Sequence, residues 1–70
     1  MTTEQLQIFA KQNRLVFLGR GIRVKDTYTF IGSVSRIDNK ITAIAMGIAA
    51  TPKQRKLLQA FCLIHGVPFS

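Results

Sequence analysis

The chain has 70 residues, 47% of them apolar, and sets ten Lys and Arg against three acids for a net charge of +7. That length allows one domain with little room for an elaborate catalytic site, and the apolar supply is too rich for a disordered polycation. A lone cysteine, Cys62, excludes an intrachain disulfide and a thiolate zinc cluster and makes a reducing, cytoplasmic setting the expectation. The first residues lack the basic and apolar regions of a secretory leader. The uncharged stretches 41–52 and 57–70 fall short of the roughly 20 apolar residues of a membrane span, so a soluble protein with no membrane partner is expected.

Over residues 2–13, Leu6, Phe9, Ala10 and Asn13 share one face at helical spacing, and Thr2 with Gln5 forms a capping box, which predicts a short amphipathic helix. From Arg14 onward the chain turns to Val, Ile, Phe, Tyr and Thr, residues suited to a half-buried pleated surface. Residues 15–18 predict a strand, and 22–25 either continue it or pair separately across Gly19-Arg20-Gly21. A longer strand is predicted over 28–37, with Tyr28, Phe30 and Val34 on one face. Asp38-Asn39 then supplies a tight turn, and 41–48 returns with Ile44, Met46 and Ile48 on one face.

The last element carries start and stop signals: Thr51 as cap, Pro52 at the first helical position and Gln54 completing a second capping box, then His65, Gly66 and Pro68 at its end. Leu57, Ala60, Phe61 and Ile64 form its expected apolar stripe, and the chargeless stretch 57–70 reads as core. The predicted fold class is therefore α+β, one compact α-β-β-β-α domain over residues 1–70. It consists of an N-terminal helix, a three-stranded antiparallel sheet (four-stranded if the first strand splits) and a C-terminal helix. Phe9, Phe30 and Phe61 are assigned to packing, while Tyr28, with its hydroxyl, also suits a wet edge.

Charge is distributed unevenly. Lys11, Arg14, Arg20, Arg23 and Lys25 form one acid-free run, Lys53, Arg55 and Lys56 a second, and Arg36 and Lys40 flank the Asp38 turn. Cations at a helix start oppose its dipole, so something other than helix stability places the second run there. Regularly spaced phosphates reward such clusters through counterion release, and helix N-terminal amides attract phosphate as well. The expected function is a small, non-enzymatic, regulatory nucleic-acid-binding protein, with Arg14, Arg20, Arg23, Lys25, Lys53, Arg55 and Lys56 as its contacts. Phe17, Tyr28 and Phe30 lie near these cations and would stack on bases if they point outward.

The alternative is a protein-interaction module, a small inhibitor or adaptor whose basic face meets an acidic protein. Ile8, Cys62 and Leu63 fall off the main apolar helix faces and would supply its partner or self-association surface. Catalytic residues, metal ligands and cofactors are not assigned: Glu4, Asp26 and Asp38 are the only acids, and Cys62 with His65 lacks an orienting group and an oxyanion site. Cys62 is read as a buried structural residue and Gly19-Arg20-Gly21 as a backbone bend.

Within residues 24–44, Lys25-Asp26, Phe30, Gly32, Val34, Ile37, Asp38 and Ile41 resemble the first conserved motif of Sm-like RNA-binding proteins, and Ile64-His65-Gly66 resembles their second. That resemblance implies an RNA-binding ring subunit in which residues 57–64 form a strand. Lys40, Thr42 and His65 stand where the family has an aromatic, an Asn and an Arg. The α-β-β-β-α order, with Thr51, Lys53 and Lys56 opening the second helix, resembles double-stranded RNA-binding domains and implies that this helix start contacts phosphate. Pro52 and Arg55 replace the Lys and Ala of that family. Three strands followed by a helix also resemble small DNA-binding modules that lay a sheet in the major groove. All three resemblances imply nucleic acid and differ about which kind.

Overall fold

The computed structural model describes residues 1–70. In chain order the elements are α1 (Thr3–Gln12), β1 (Leu15–Leu18), β2 (Gly21–Val24), β3 (Phe30–Ile37), β4 (Lys40–Met46) and α2 (Pro52–His65). The strands form one antiparallel sheet in the order β1-β2-β3-β4. The first predicted strand thus splits at Gly19-Arg20, and the α+β domain carries four strands.

Both helices begin where the sequence places them, for a local reason. Thr2 accepts a hydrogen bond from the Gln5 N–H while the Gln5 side chain accepts one from the Thr2 N–H, and Thr51 and Gln54 repeat the exchange. Two otherwise orphaned donors are satisfied at each helix start. α2 ends on Gly66 at φ 66°, the left-handed cap that glycine adopts without steric cost, and the Val67 N–H donates back to the Cys62 carbonyl at 2.9 Å. Residues 57–64 are therefore helical, and the strand required by the Sm-like resemblance is not formed.

The buried stripe of α2 differs from the expected one. Leu58 and Cys62 are fully buried and Leu57 and Phe61 half-buried, whereas Ala60 is exposed and Leu63 and Ile64 are each 80% exposed. The C-terminal half of this helix is apolar on nearly every side, so spacing alone does not select its inner face. The neighbours select it: the sheet takes Leu58 and Cys62, and Phe61 stacks on Phe9 of α1 with ring centroids 3.9 Å apart. Cys62 is thus not part of a partner surface, and 57–70 is not uniformly core.

Register explains the differences in the sheet. Ile22 pairs with Gly32 but Arg23 pairs with Phe30, so Ile31 is an extra residue in β3. A single-residue bulge exchanges the two faces of the sheet. Ile31 and Val34 enter the core, and Phe30 emerges on the opposite face, 40% exposed, rather than sharing a face with Val34 and packing in the core. Tyr28 lies outside β3 at φ 56°, and Ile48 lies beyond β4, fully exposed rather than aligned with Ile44 and Met46.

Leu15, Phe17, Ile22, Ile31, Val34, Ile41 and Ile44 of the sheet meet Leu6, Ala10, Leu58 and Cys62 of the helices in one core. Both helices therefore cover the same face of the sheet, leaving the other uncovered. The edge of β4 is occupied by residues from both ends of the sequence. The Ile41 N–H donates to the Met1 carbonyl (2.8 Å) and the Ile44 N–H to the Pro68 carbonyl (3.0 Å), while Ser70 exchanges bonds with Ile44 and Met46.

Candidate nucleic-acid interface

α1 ends and β1 begins at Arg14, which takes φ 57° to turn the chain from helix to strand. The neighbouring hairpin returns β2 to the same place, where the Lys25 N–H donates to the Arg14 carbonyl at 3.0 Å. The amino end of α2 arrives beside them. Asn13, Arg14, Asp26, Thr51, Lys53 and Gln54 line one open depression, and Gln7, Lys11 and Lys25 line an adjoining one along β1.

Two helices and two turns thus bring Lys11 (α1), Arg14 (between α1 and β1), Lys25 (just after β2) and Lys53 (α2) to one end of the domain. Lys11, a member of the first acid-free run but not one of the seven expected contacts, belongs to this end because it sits in the last turn of α1, just before the chain reverses. One acid accompanies the four cations. Asp26 directly follows the first basic run and lines the same depression as Arg14 and Lys53. Arg55 and Lys56 are exposed on the first turns of α2, adding charge around the same helix start.

The two remaining sequence candidates lie elsewhere. Arg20 occupies the β1–β2 turn, a four-residue strand away from Arg14, or roughly 13 Å at the usual rise per residue. Its carbonyl accepts from the Val34 N–H at 2.8 Å, and its side chain is exposed. Arg23 points to the uncovered face of the sheet, its guanidinium carbon 5.5 Å from the centre of the Phe30 ring and its Nη1 donating to the Tyr28 carbonyl at 2.8 Å. The seven sequence candidates therefore divide into a basic end (Arg14, Lys25, Lys53, Arg55, Lys56), a sheet-face arginine and a turn arginine.

The aromatics divide as well. Phe17 is buried, with the Arg36 guanidinium 5.6 Å from its ring centre, and Phe9 and Phe61 hold the helices together. Tyr28 and Phe30 are the two that reach solvent beside a cation.

Cys62 and His65 are not arranged as a nucleophile and its base. The Cys62 thiol is completely buried, and that burial pushes its pKa above the ordinary value, the reverse of an activated thiolate. His65 lies against the Phe61 ring at 4.6 Å. No three His, Cys, Asp or Glu residues are grouped so as to hold a metal ion, and no helix is long and apolar enough to cross a membrane. No family model matches the chain, and neither the curated proteins nor the solved structures contain a match to it.

Proposed function

We propose that this protein is a small, non-enzymatic nucleic-acid-binding protein of regulatory type, working in a reducing cytoplasm and docking on phosphates through its basic end. The observation that carries this reading is the convergence of Lys11, Arg14, Lys25 and Lys53 from two helices and two turns on two adjoining depressions, with Arg55 and Lys56 on the same helix start. A solvated charge run needs no such convergence, whereas a strand of phosphates profits from it. The dipole end of α2 adds its positive potential at the same place.

The test is a fluorescence-anisotropy titration with labelled duplex and single-stranded oligonucleotides at two salt concentrations. Counterion release across about five contacts predicts roughly a 500-fold loss of duplex affinity between about 0.05 and about 0.2 M salt. Lys53→Ala should flatten the log–log salt slope by about one. Absence of binding at low salt, or tight binding indifferent to salt, would refute the reading.

A second reading has an observation of its own. Leu63 and Ile64, each 80% exposed, and Ile8, 58% exposed, leave apolar side chains on the helical layer. These, together with the basic start of α2, would suit an acidic protein partner with an apolar centre. A partner retained in pull-downs after nuclease treatment, and lost on Leu63→Asp, would favour this reading over nucleic acid.

A further inference from the structure

The uncovered face of the sheet is built in an unusual way. Across the strands it presents Leu18, Gly21, Ser33 and Ala45 in one row and Arg23 opposite Phe30 in the next. Gly21, Ser33 and Ala45 are small, so the floor between them is low and Phe30 and Arg23 stand clear of it. The three acids lie in α1, in the loop between β2 and β3 and in the β3–β4 turn, none of them on this face.

Phe30 is held here by backbone geometry. Its ring occupies the space between Gly21 and Gly47: a Cβ at position 21 would come within 3.3 Å of one ring edge, and a Cβ at 47 within 3.5 Å of the other. The Arg23 guanidinium lies over the ring and is tethered by its hydrogen bond to the Tyr28 carbonyl. Tyr28 is 56% exposed, in a left-handed conformation that a bulky aromatic rarely takes. That conformation is enforced by the Tyr28 N–H donating to the Val24 carbonyl at 2.8 Å and by the hydroxyl contact of Thr27 with Thr29 at 2.7 Å. The fold thus keeps two aromatics at the surface, with one guanidinium over the ring of Phe30 and bonded to the backbone of Tyr28.

We propose that Arg23, Tyr28 and Phe30 form a stacking platform for the bases of an unpaired nucleic-acid strand. The inference rests on the nucleic-acid reading above and names its substrate class, single-stranded. In a duplex the base planes are already stacked on one another and offer nothing to a ring or a guanidinium; in a single strand they are free to stack on both. The same loop joins the platform to the basic end. Lys25 lines one depression and Asp26 the other, and Tyr28 follows two residues later. A strand whose phosphates follow Lys25, Arg14 and Lys53 carries its bases onto the platform. Stacking reads base planes and not the sugar, so deoxyribose and ribose strands are both ligands.

Tyr28 is the only tyrosine, and the chain has no tryptophan, so its fluorescence reports the platform directly. Titration with oligo(dT) and oligo(U) should quench this emission, and a duplex of equal length, bound to the same fractional saturation by anisotropy, should not. Tyr28→Gly, which relieves the backbone strain, should melt at the same temperature or higher and yet lose about tenfold or more in single-strand affinity while keeping its duplex affinity. Phe30→Leu, which retains an apolar side chain over the two glycines, should show the same selective loss. Lys53→Ala should weaken both ligands. Normal salt-dependent binding without quenching, or with Tyr28→Gly indistinguishable from the parent chain on oligo(dT), would overturn the platform and leave the phosphate-docking reading standing. Absence of binding by any oligonucleotide at low salt would remove both.

Discussion

Three residues other than glycine take positive φ: Arg14, Tyr28 and Asp38. Asp38 sits in the two-residue turn between Ile37 and Lys40, where a short polar side chain tolerates that conformation. Arg14 and Tyr28 have no such excuse; Arg14 lies at the basic end and Tyr28 on the proposed platform. At Arg14 the conformation lets the chain leave α1 and enter β1 at once, which places a cation at the junction of three elements. Arg14→Gly separates the two roles of the residue. Removing the side chain relieves a strain worth roughly 1 kcal/mol, partly offset by the freer unfolded chain, so urea denaturation should show stability unchanged or slightly raised. Duplex affinity at low salt should fall severalfold. A variant that unfolds more readily and binds as tightly as before would show that Arg14 serves the fold and not the ligand. Neither positive φ was legible in the sequence, because the residue types around Arg14 and Tyr28 do not demand a glycine-like turn; at Tyr28 it comes with the turn closed on the Val24 carbonyl, and at Arg14 with the reversal from α1 into β1, where the Arg14 carbonyl accepts from the Lys25 N–H.

At the scale of elements, legibility follows the range of the interactions. Both helix starts and the end of α2 are written within a few residues of each boundary, and the structure places them as the caps predict. The inner face of α2 and the face occupied by Phe30 depend on contacts made across the domain, and both were misplaced. The α2 case has a measurable consequence. Leu58→Ala opens a cavity at the junction of helix and sheet and should cost about 2 to 5 kcal/mol in denaturant unfolding, whereas Leu63→Ala, five residues on and equally apolar, should stay within about 0.5 kcal/mol. Equal losses at the two positions would mean that α2 is rotated about its axis from the orientation described. Thr51→Ala probes the same helix from its end, and losing the cap should cost about 1 kcal/mol. The bulge at Ile31 is harder to foresee. One inserted residue moves Phe30 from the core to the surface, and the sequence reads as an unbroken strand through it.

For the whole molecule the decisive quantity is a net charge of +7 on a domain whose Cα radius of gyration is 10.6 Å. The domain extends 27 × 19 × 19 Å, so its opposite sides lie beyond the Debye length of about 10 Å at about 0.1 M salt, and the repulsion that survives is the one among cations gathered at the same end. The sequence already showed the excess and its two runs; only the fold shows that four cations meet at one end while Arg20 and Arg23 point elsewhere. Concentrating charge in this way raises the repulsion that folding must overcome and, by the same Coulomb term, the attraction for a polyanion. Salt weakens both. The melting temperature of the free protein should therefore rise between about 0.05 and about 0.2 M salt, over the same interval in which nucleic-acid affinity falls. At the low-salt end, saturating nucleic acid should raise the melting temperature further still, because a ligand that binds only the folded chain stabilises it in proportion to the logarithm of its concentration over Kd. Differential scanning fluorimetry at the two salt concentrations, with and without oligonucleotide, measures all three slopes on one sample. A free-protein melting temperature that stays flat or falls with added salt would mean that the cations are too far apart to repel, and a surface too dispersed to repel itself is also too dispersed to grip a line of phosphates.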